Sequence, residues 1–326
     1  MCIRDRIDIS NMKNWFLLIL FVGMFLGIQL FLLEINSSQN RLNFNEVIES
    51  IIEIETEDLS GKKSFGSGVI ISKDGYIITA YHLVKNSRQI TIKFLCKKHK
   101  ASLIGIDVYS DVAVLKTALR ELNPIKFPDN FEIDVGDVVY AVGNPFDLGV
   151  SVSKGILSAT GRNFGNPYLD VIQTDASINQ GNSGGALLNS QGEFLGLSTS
   201  IASNSGGSDG VGFALPAEKV IQISQDLIKY GEVQRAWIGN FRFRQITFQN
   251  IAGQRNPGLL VYGNDDSVEG LKDGDLIIKI KNSPALWRTF IASINSISPE
   301  ETIQLVVIRD DLEKTLNIKT KQRPRF

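Results

Sequence analysis

Cysteine and histidine are both scarce in this chain of 326 residues, which contains two of each. Cys2 precedes a long apolar stretch and Cys96 follows it. If that stretch spans a membrane, the two cysteines lie on opposite sides of it, so no structural disulfide is expected between them. Two distant histidines and two lone cysteines form no cluster of metal ligands, and neither a metal nor another cofactor is expected. Charge is nearly balanced, with 34 basic and 35 acidic residues, which argues against a nucleic-acid partner.

The apolar stretch, Trp15–Leu33, has no charged residue. At ~1.5 Å per residue, a helix over this stretch nearly matches the ~30 Å hydrocarbon core of a bilayer. A cleaved signal peptide is the alternative, but the stretch exceeds the usual ~7–15 apolar residues and no small-residue cleavage site follows it. Because Arg4, Arg6 and Lys13 precede it and Glu34 follows it, we predict a retained single-pass anchor with a cytoplasmic N-terminus.

The remainder of the chain has the pattern of a mainly β protein of two or three domains. Many short runs rich in Val and Ile alternate with turn residues, and glycine occurs 29 times. One longer helix is predicted over Pro216–Tyr230. A polar segment at 35–45 is expected to be a short tether between the apolar stretch and the β-rich region.

The segment Gly181-Asn182-Ser183-Gly184-Gly185 is the first indication of chemistry. A serine hydroxyl is a weak nucleophile that needs a general base and a site for the oxyanion that forms. Glycines on both sides allow a tight turn that aims the N–H groups of Gly181 and Ser183 at one point. Glycine-serine turns are also common linkers, so this segment alone decides nothing.

A base and an acid follow the same pattern. His82 comes at the end of an apolar run, whereas His99 lies between lysines in what reads as a solvated loop. Asp111 precedes another apolar run and is the expected partner that orients the imidazole, with Asp107 as a rival. The order His, Asp, Ser is that of the two-barrel β-proteases. Each residue alone could be an ordinary loop residue, but the three together predict a catalytic triad.

The chain resembles the HtrA (Deg) family of serine proteases over about residues 46–230. The phrases that carry the resemblance are Gly66-Ser-Gly-Val-Ile-Ile-Ser-Lys-Asp-Gly75, Asp111-Val-Ala-Val-Leu-Lys116, Gly143-Asn-Pro-Phe146, Gln173-Thr-Asp-Ala-Ser-Ile-Asn179 and Gly212-Phe-Ala-Leu-Pro216. The resemblance implies a chymotrypsin-like double β-barrel with the active site in the crevice between the barrels. It places the triad on His82, Asp111 and Ser183 and the oxyanion hole on the backbone of Gly181, Asn182 and Ser183. The family's usual Asn-Asn-His-Val is Ala80-Tyr81-His82-Leu83 here.

The primary specificity (S1) pocket is expected to be small and uncharged. Its floor is expected from Ser177 and Ile178, and its opposite wall from Ser200 and Ile201. Without an acidic residue, a Lys or Arg preference is not expected. The resemblance also implies a small or medium aliphatic residue at the cleaved position, with a graded preference of ~1–3 kcal/mol per methylene.

The C-terminal part resembles a PDZ domain over about residues 237–321. The phrases that carry this resemblance are Pro257-Gly-Leu-Leu-Val-Tyr262, Leu271-Lys-Asp-Gly-Asp-Leu-Ile-Ile-Lys-Ile280 and Glu301-Thr-Ile-Gln-Leu-Val-Val-Ile-Arg-Asp310. PDZ domains bind C-terminal peptides by strand addition, with backbone N–H groups on the terminal carboxylate. The matching carboxylate loop is Trp237-Ile238-Gly239. The stretch from Asn264 to Leu271 departs from the family because it is short and acidic, and a β-rich spacer with a closed groove is the alternative.

The expected organisation is a cytoplasmic tail and anchor at 1–34, a tether at 35–45, a trypsin-like domain at 46–232 and one PDZ domain at 236–323. It resembles the DegS-like stress-sensor branch, in the bacterial inner membrane with both domains in the periplasm. The resemblance implies a homotrimer, with Phe44 a candidate trimer contact or own-chain packing residue. It also implies activation by C-terminal peptides, cleavage of an anti-sigma-type membrane protein, and a relay through Arg162 with Asp275 as a plausible partner. A general quality-control protease and a non-enzymatic peptide-binding scaffold are the alternatives.

Overall fold

The structure is a computed structural model that describes residues 21–29, 43–145, 148–162, 170–201, 207–249, 252–263, 265 and 269–324. Residues 21–29 are helical and exposed. Within the described ranges, no helix is both long enough and apolar enough to cross a membrane. Cys2 and the rest of the predicted anchor lie outside those ranges, as does most of the tether.

The first barrel closes in the strand order β1-β2-β3-β6-β5-β4, with every neighbouring pair antiparallel. Strands β3 and β6 are buried on both faces. Ile77 and Leu115 belong to the core of this barrel, whereas Ile78 and Val114 face the seam with the second barrel. A short helix precedes the barrel and another interrupts it. These elements are α1 (Phe44–Ile48), β1 (Ile51–Asp58), β2 (Lys63–Ile70), β3 (Tyr76–Ala80), α2 (Tyr81–Val84), β4 (Ser87–Phe94), β5 (Lys97–Asp107) and β6 (Val112–Thr117).

The second barrel closes in the order β10-β11-β12-β9-β8-β7. Helix α3 follows it, ends at Gly231 in the left-handed conformation (φ 73°), and confirms the predicted helix to within one residue. Buried side chains from both barrels and α3 form one continuous apolar cluster, so the barrels share a seam. The elements are β7 (Val138–Gly143), β8 (Ser151–Arg162), β9 (Val171–Thr174), β10 (Ala186–Leu188), β11 (Phe194–Ile201), β12 (Gly212–Pro216) and α3 (Ala217–Tyr230).

The C-terminal unit is a sheet in the order β14-β15-β16-β18-β19 with one helix and its own apolar core. The first and last strands of the unit, β13 and β20, pair with each other. The three phrases that suggested strands each contain one. The elements are β13 (Ala236–Trp237), β14 (Arg242–Gln249), β15 (Arg255–Tyr262), β16 (Leu276–Ile280), β17 (Ser283–Pro284), α4 (Trp287–Asn295), β18 (Thr302–Arg309), β19 (Leu312–Lys319) and β20 (Lys321–Gln322).

Two local expectations had different outcomes. The lysine-rich segment around His99 is not a loop, because it begins β5 and pairs with β4 in the register Ile92↔His99. Cys96 is exposed and free, in the tight turn between those strands. Phe44 packs edge-on against Tyr140 of its own chain, with ring centroids 5.1 Å apart, which is the intrachain alternative for this residue.

Candidate active site

Strand register brings His82 and Asp111 together. Neighbouring strands β3 and β6 pair Ala80 with Val112, so the residues just beyond that pair lie at the same end of the barrel. His82 is in the first turn of α2, and Asp111 ends the turn that leads into β6. Asp111 has a positive φ of 56°, a conformation that Asp tolerates better than most residues because its short side chain can bond locally.

Asp111 contacts both the backbone and the ring of His82. Its Oδ2 lies 2.6 Å from His82 Nδ1, and its Oδ1 accepts the His82 backbone N–H at 2.8 Å. The carbonyl oxygen of Asp111 accepts the N–H of Tyr81 at 3.0 Å. The start of α2 is therefore capped by the same residue that orients the imidazole, and Nε2 is the ring nitrogen left for a substrate or nucleophile.

The pKa of His82 is raised above its ordinary value, first by the hydrogen bond that its ring donates to Asp111, while burial works in the opposite direction. The charged imidazole is thus favoured in the folded protein. The ion pair adds stability below the ordinary pKa of histidine, and this contribution is lost as pH rises through the raised pKa. A general base must be neutral, so the same shift moves the onset of base catalysis to higher pH.

Asp107, the rival acid, has a different partner. It is 3% exposed, and its two carboxylate oxygens accept hydrogen bonds from Arg235 at 2.7 and 2.6 Å. Arg235 also donates to the Ser110 hydroxyl at 3.0 Å. Arg235 immediately precedes β13. Its guanidinium therefore ties the start of the C-terminal unit to the turn that carries Asp111. Sequence reasoning missed this contact.

Ser183 lies between β9 and β10, in a turn that packs against both barrels. Its carbonyl oxygen accepts the N–H of Ser67 in β2 at 3.0 Å. Its hydroxyl donates to the carbonyl of Thr199 in β11 at 3.4 Å. Among the residues that the structure describes, no hydrogen bond joins that hydroxyl to His82. Transfer of its proton to the imidazole requires the hydroxyl to turn away from the Thr199 carbonyl.

The turn before Ser183 is closed by a hydrogen bond of 3.0 Å from the Asn182 N–H to the Asn179 carbonyl. Gly181 is the third residue of this turn and has φ 100°, the sign that a type II turn requires at that position. The bond occupies the Asn182 amide, one of the three expected in the oxyanion hole. The Gly181 and Ser183 amides have no acceptor among the described residues.

The predicted S1 residues divide into described and undescribed side chains. Ser177 is exposed, and its carbonyl oxygen accepts the Ser153 hydroxyl at 2.8 Å. Ile178 is 1% exposed and packs into the second barrel's core, where a Cβ on Gly212 would be 2.8 Å from its side chain. Ser200 and Ile201 continue β11 beyond Thr199, but their side chains lie outside the described residues.

A family model described as "Trypsin-like peptidase domain" matches residues 66–197. A solved structure of the HtrA-type protease AlgW with a tripeptide superimposes with a TM-score of 0.77 at 34% identity, over 87% of this chain and 98% of that one. The chain belongs to the HtrA family of serine proteases.

Two further similar proteins are named as serine endoproteases. The serine endoprotease from Yersinia pestis superimposes with a TM-score of 0.71 at 31% identity, over 86% of this chain and 98% of that one. A protein of Buchnera aphidicola subsp. Baizongia pistaciae (strain Bp) named "Probable periplasmic serine endoprotease DegP-like" is 36% identical over 274 residues. That match includes 80% of this chain but 58% of the relative, so the chain spans little more than half the length of such curated relatives.

The predicted carboxylate loop of this HtrA chain lies at the start of the C-terminal unit. Trp237 is in β13, Ile238 is buried, and Gly239 has φ 107°. The next backbone N–H, that of Asn240, donates to the side-chain carboxylate of Asp265 at 2.5 Å. One amide beside the predicted loop is thus already bound to an acid from the short acidic stretch.

The predicted relay residues are not partners in this conformation. Asp275 is fully buried within the C-terminal unit, where Arg309 donates to its two oxygens at 2.6 Å each. Arg162 is exposed at the end of β8 and donates to Gln173 of β9 at 3.3 Å. Both side chains bond within their own units in this conformation, and the relay through Arg162 with Asp275 stays a prediction. The segment after Arg162 lies outside the described residues.

Proposed function

We propose that this HtrA chain is a serine endopeptidase in which Ser183 is the nucleophile, His82 the general base and Asp111 the residue that orients the imidazole. The observation that carries the proposal is the contact of 2.6 Å between Asp111 and the Nδ1 atom of His82. It fixes the tautomer that leaves Nε2 free to accept a proton. Ser183 lies on a turn anchored to β2, the strand beside the one that precedes His82.

Peptide hydrolysis then follows in two steps. Neutral His82 takes the Ser183 proton as Oγ attacks the scissile carbonyl carbon, and the carbonyl π electrons move to oxygen. The amides of Gly181 and Ser183 stabilise that oxyanion. The imidazolium gives its proton to the leaving amine as the C–N bond breaks, and water, activated by the same imidazole, hydrolyses the acyl-enzyme. A small or medium aliphatic residue is the preferred residue on the acyl side.

The proposed setting is the periplasmic face of a bacterial inner membrane, with Trp15–Leu33 as a retained anchor and a homotrimeric assembly. The relatives named as periplasmic endoproteases support the compartment. The apolar stretch and its basic flank support the anchor. Phe44 gives no support to the trimer, because its observed contact is with Tyr140 of the same chain.

The C-terminal unit, residues 236–323, is proposed to be a PDZ domain that binds C-terminal peptides and activates the protease. Peptides are present in the solved AlgW structures, one with a tripeptide and one with a decapeptide. The Ser183 hydroxyl bonds to Thr199 rather than to His82, which is consistent with a resting enzyme that an activating peptide would convert. The substrate proposed is a membrane-bound regulator of the anti-sigma type.

The test uses the full chain in mild detergent beside Ser183→Ala, with an aliphatic-P1 peptide substrate. Turnover would be measured with and without a peptide that ends in an aromatic residue with a free carboxylate. We expect peptide-dependent turnover that Ser183→Ala abolishes. High turnover without peptide would favour a general quality-control protease. No turnover in either condition would contradict the enzyme proposal and favour the binding scaffold.

A further inference from the structure

Ser67 lies at the seam between the two barrels, in contact with the turn that carries the nucleophile. It is fully buried in β2. Its hydroxyl donates to the Gly181 carbonyl at 2.7 Å and accepts the Asn144 backbone N–H at 2.8 Å. The Asn144 amide supplies the hydrogen of that second contact, so the single hydroxyl hydrogen is committed to Gly181. The result is a chain of two hydrogen bonds that runs from Asn144 in the second barrel, through Ser67, to the turn.

One peptide group of the turn is held at both edges, and Ser67 holds one of them. The peptide that joins Gly181 to Asn182 is planar, so its C=O and its N–H point to opposite sides. Ser67 holds the oxygen, and the Asn179 carbonyl holds the Asn182 N–H at 3.0 Å. With this plane fixed, the peptides on either side of it carry the two amides that have no acceptor within the described chain, those of Gly181 and Ser183.

The packing leaves little tolerance for movement of this hydroxyl. A Cβ at Gly143 would lie 2.9 Å from Ser67 Oγ, so the residue before Asn144 must be small for its amide to reach the hydroxyl. On the other side, Thr79 donates to the Ser67 carbonyl at 2.6 Å. The hydroxyl is therefore fixed by β3, by the end of β7 and by the nucleophile turn together.

We propose that Ser67 is a positioning residue for the oxyanion hole: its hydroxyl orients the Gly181–Asn182 peptide so that the flanking amides meet the developing oxyanion. It touches neither substrate nor the reacting atoms. The inference rests on the proposed peptidase function and deepens it. It also gives a physical role to Ser67 and Asn144, which both lie in phrases that the chain shares with the HtrA family.

The test compares Ser67→Ala with wild type as the full chain, under the conditions of maximal wild-type turnover. The matched control is Ser224→Ala, which removes another buried hydroxyl with one backbone partner, Val220 O at 2.7 Å, in α3. We expect Ser67→Ala to lower kcat by about 10- to 100-fold with KM unchanged, somewhat less than the ~10²–10³ caused by deleting an oxyanion donor. Ser224→Ala should keep the wild-type kcat.

Two further readouts separate positioning from a general loss of structure. A peptide trifluoromethyl ketone accepts Ser183 Oγ at its carbonyl carbon and becomes a tetrahedral oxyanion, so its affinity should fall by the same factor as kcat. The midpoint of the acidic limb of kcat/KM should not move, because the contact of His82 with Asp111 is untouched. If Ser67→Ala does not fold, Ser67→Cys, with a weaker donor and a larger sulfur, should still lower kcat with unchanged KM.

Unchanged kcat in a folded Ser67 variant, a loss confined to KM, or ketone affinity that does not follow kcat would each overturn the inference. None of these outcomes would affect the proposed peptidase, which depends on wild-type turnover and its loss in Ser183→Ala. Absence of wild-type turnover would instead contradict the peptidase itself.

Discussion

The buried contact between Arg235 and Asp107 should be the strongest single tie between the first barrel and the C-terminal unit. Replacement of Arg235 by Met keeps the length of the side chain but removes the guanidinium. Asp107 would then be left as a buried carboxylate, 3% exposed, without its two hydrogen bonds at 2.7 and 2.6 Å. Breaking a buried pair in this way costs about 3–5 kcal/mol.

The assay is urea unfolding followed by tryptophan fluorescence and by circular dichroism. Both described tryptophans, Trp237 and Trp287, lie in the C-terminal unit. With Trp15 replaced by Phe in every variant, fluorescence reports that unit while circular dichroism reports the whole chain. We expect Arg235→Met to unfold at lower urea, and the fluorescence transition to precede the other. The double variant with Asp107→Asn should regain most of the loss because no buried charge remains.

The exposed pair of Lys314 with Asp310, 3.8 Å apart, provides the control, and Lys314→Ala should leave both transitions in place. If Arg235→Met behaved like that control, with a change below about 1 kcal/mol, the contact would not be a strong tie. If the double variant were as unstable as the sum of the two single ones, the loss would not come from an uncompensated charge.

Three other substitutions test separate parts of the site. Asp111→Asn should lower kcat by ~10⁴. Since Asp111 raises the pKa of His82, the acidic limb of kcat/KM should also move to lower pH. An unmoved limb would mean that Asp111 is not the cause of the raised pKa. Asp265→Ala should bind a C-terminal peptide more tightly in a fluorescence titration because it frees the Asn240 amide, whereas weaker binding would mean that Asp265 supports the loop. Gly184→Ala should abolish activity or folding, since its Cβ would meet the Ser67 carbonyl oxygen at φ 80°; a fully active variant would contradict that turn geometry.

The contacts within the candidate site were predictable where a short motif and strand register coincide. His82 and Asp111 each adjoin an apolar strand, and the register Ala80↔Val112 is what such strands produce when they pair. The assignment of the three triad roles remains a prediction. The role of Asp107 could not be read from the sequence, because its partner Arg235 is 128 residues away and a long-range ion pair has no local pattern.

Charge was a poor guide in two other places. The lysines around His99 indicated a loop, yet they form an exposed hairpin strand whose first residues mostly face solvent, where propensity and charge do not distinguish strand from loop. The charge of Asp275 likewise did not predict that the residue is buried and bound by Arg309, which is 34 residues away. In both cases the charge of a residue is known from the sequence, but its burial and strand pairing depend on the packing of distant segments.

The pairing of β13 with β20 has a consequence for the modularity of the chain. The C-terminal unit begins and ends at one place, since Ala236 pairs with Gln322 and the Arg323 N–H donates to the Arg235 carbonyl at 3.0 Å. A unit whose two ends are neighbours can be exchanged, duplicated or spliced into another protein with little change in the path of the host chain. A fluorescent reporter fused after Arg323 would accordingly lie beside the first barrel. Energy transfer between it and a second dye on that barrel would report whether the C-terminal unit and the first barrel remain docked.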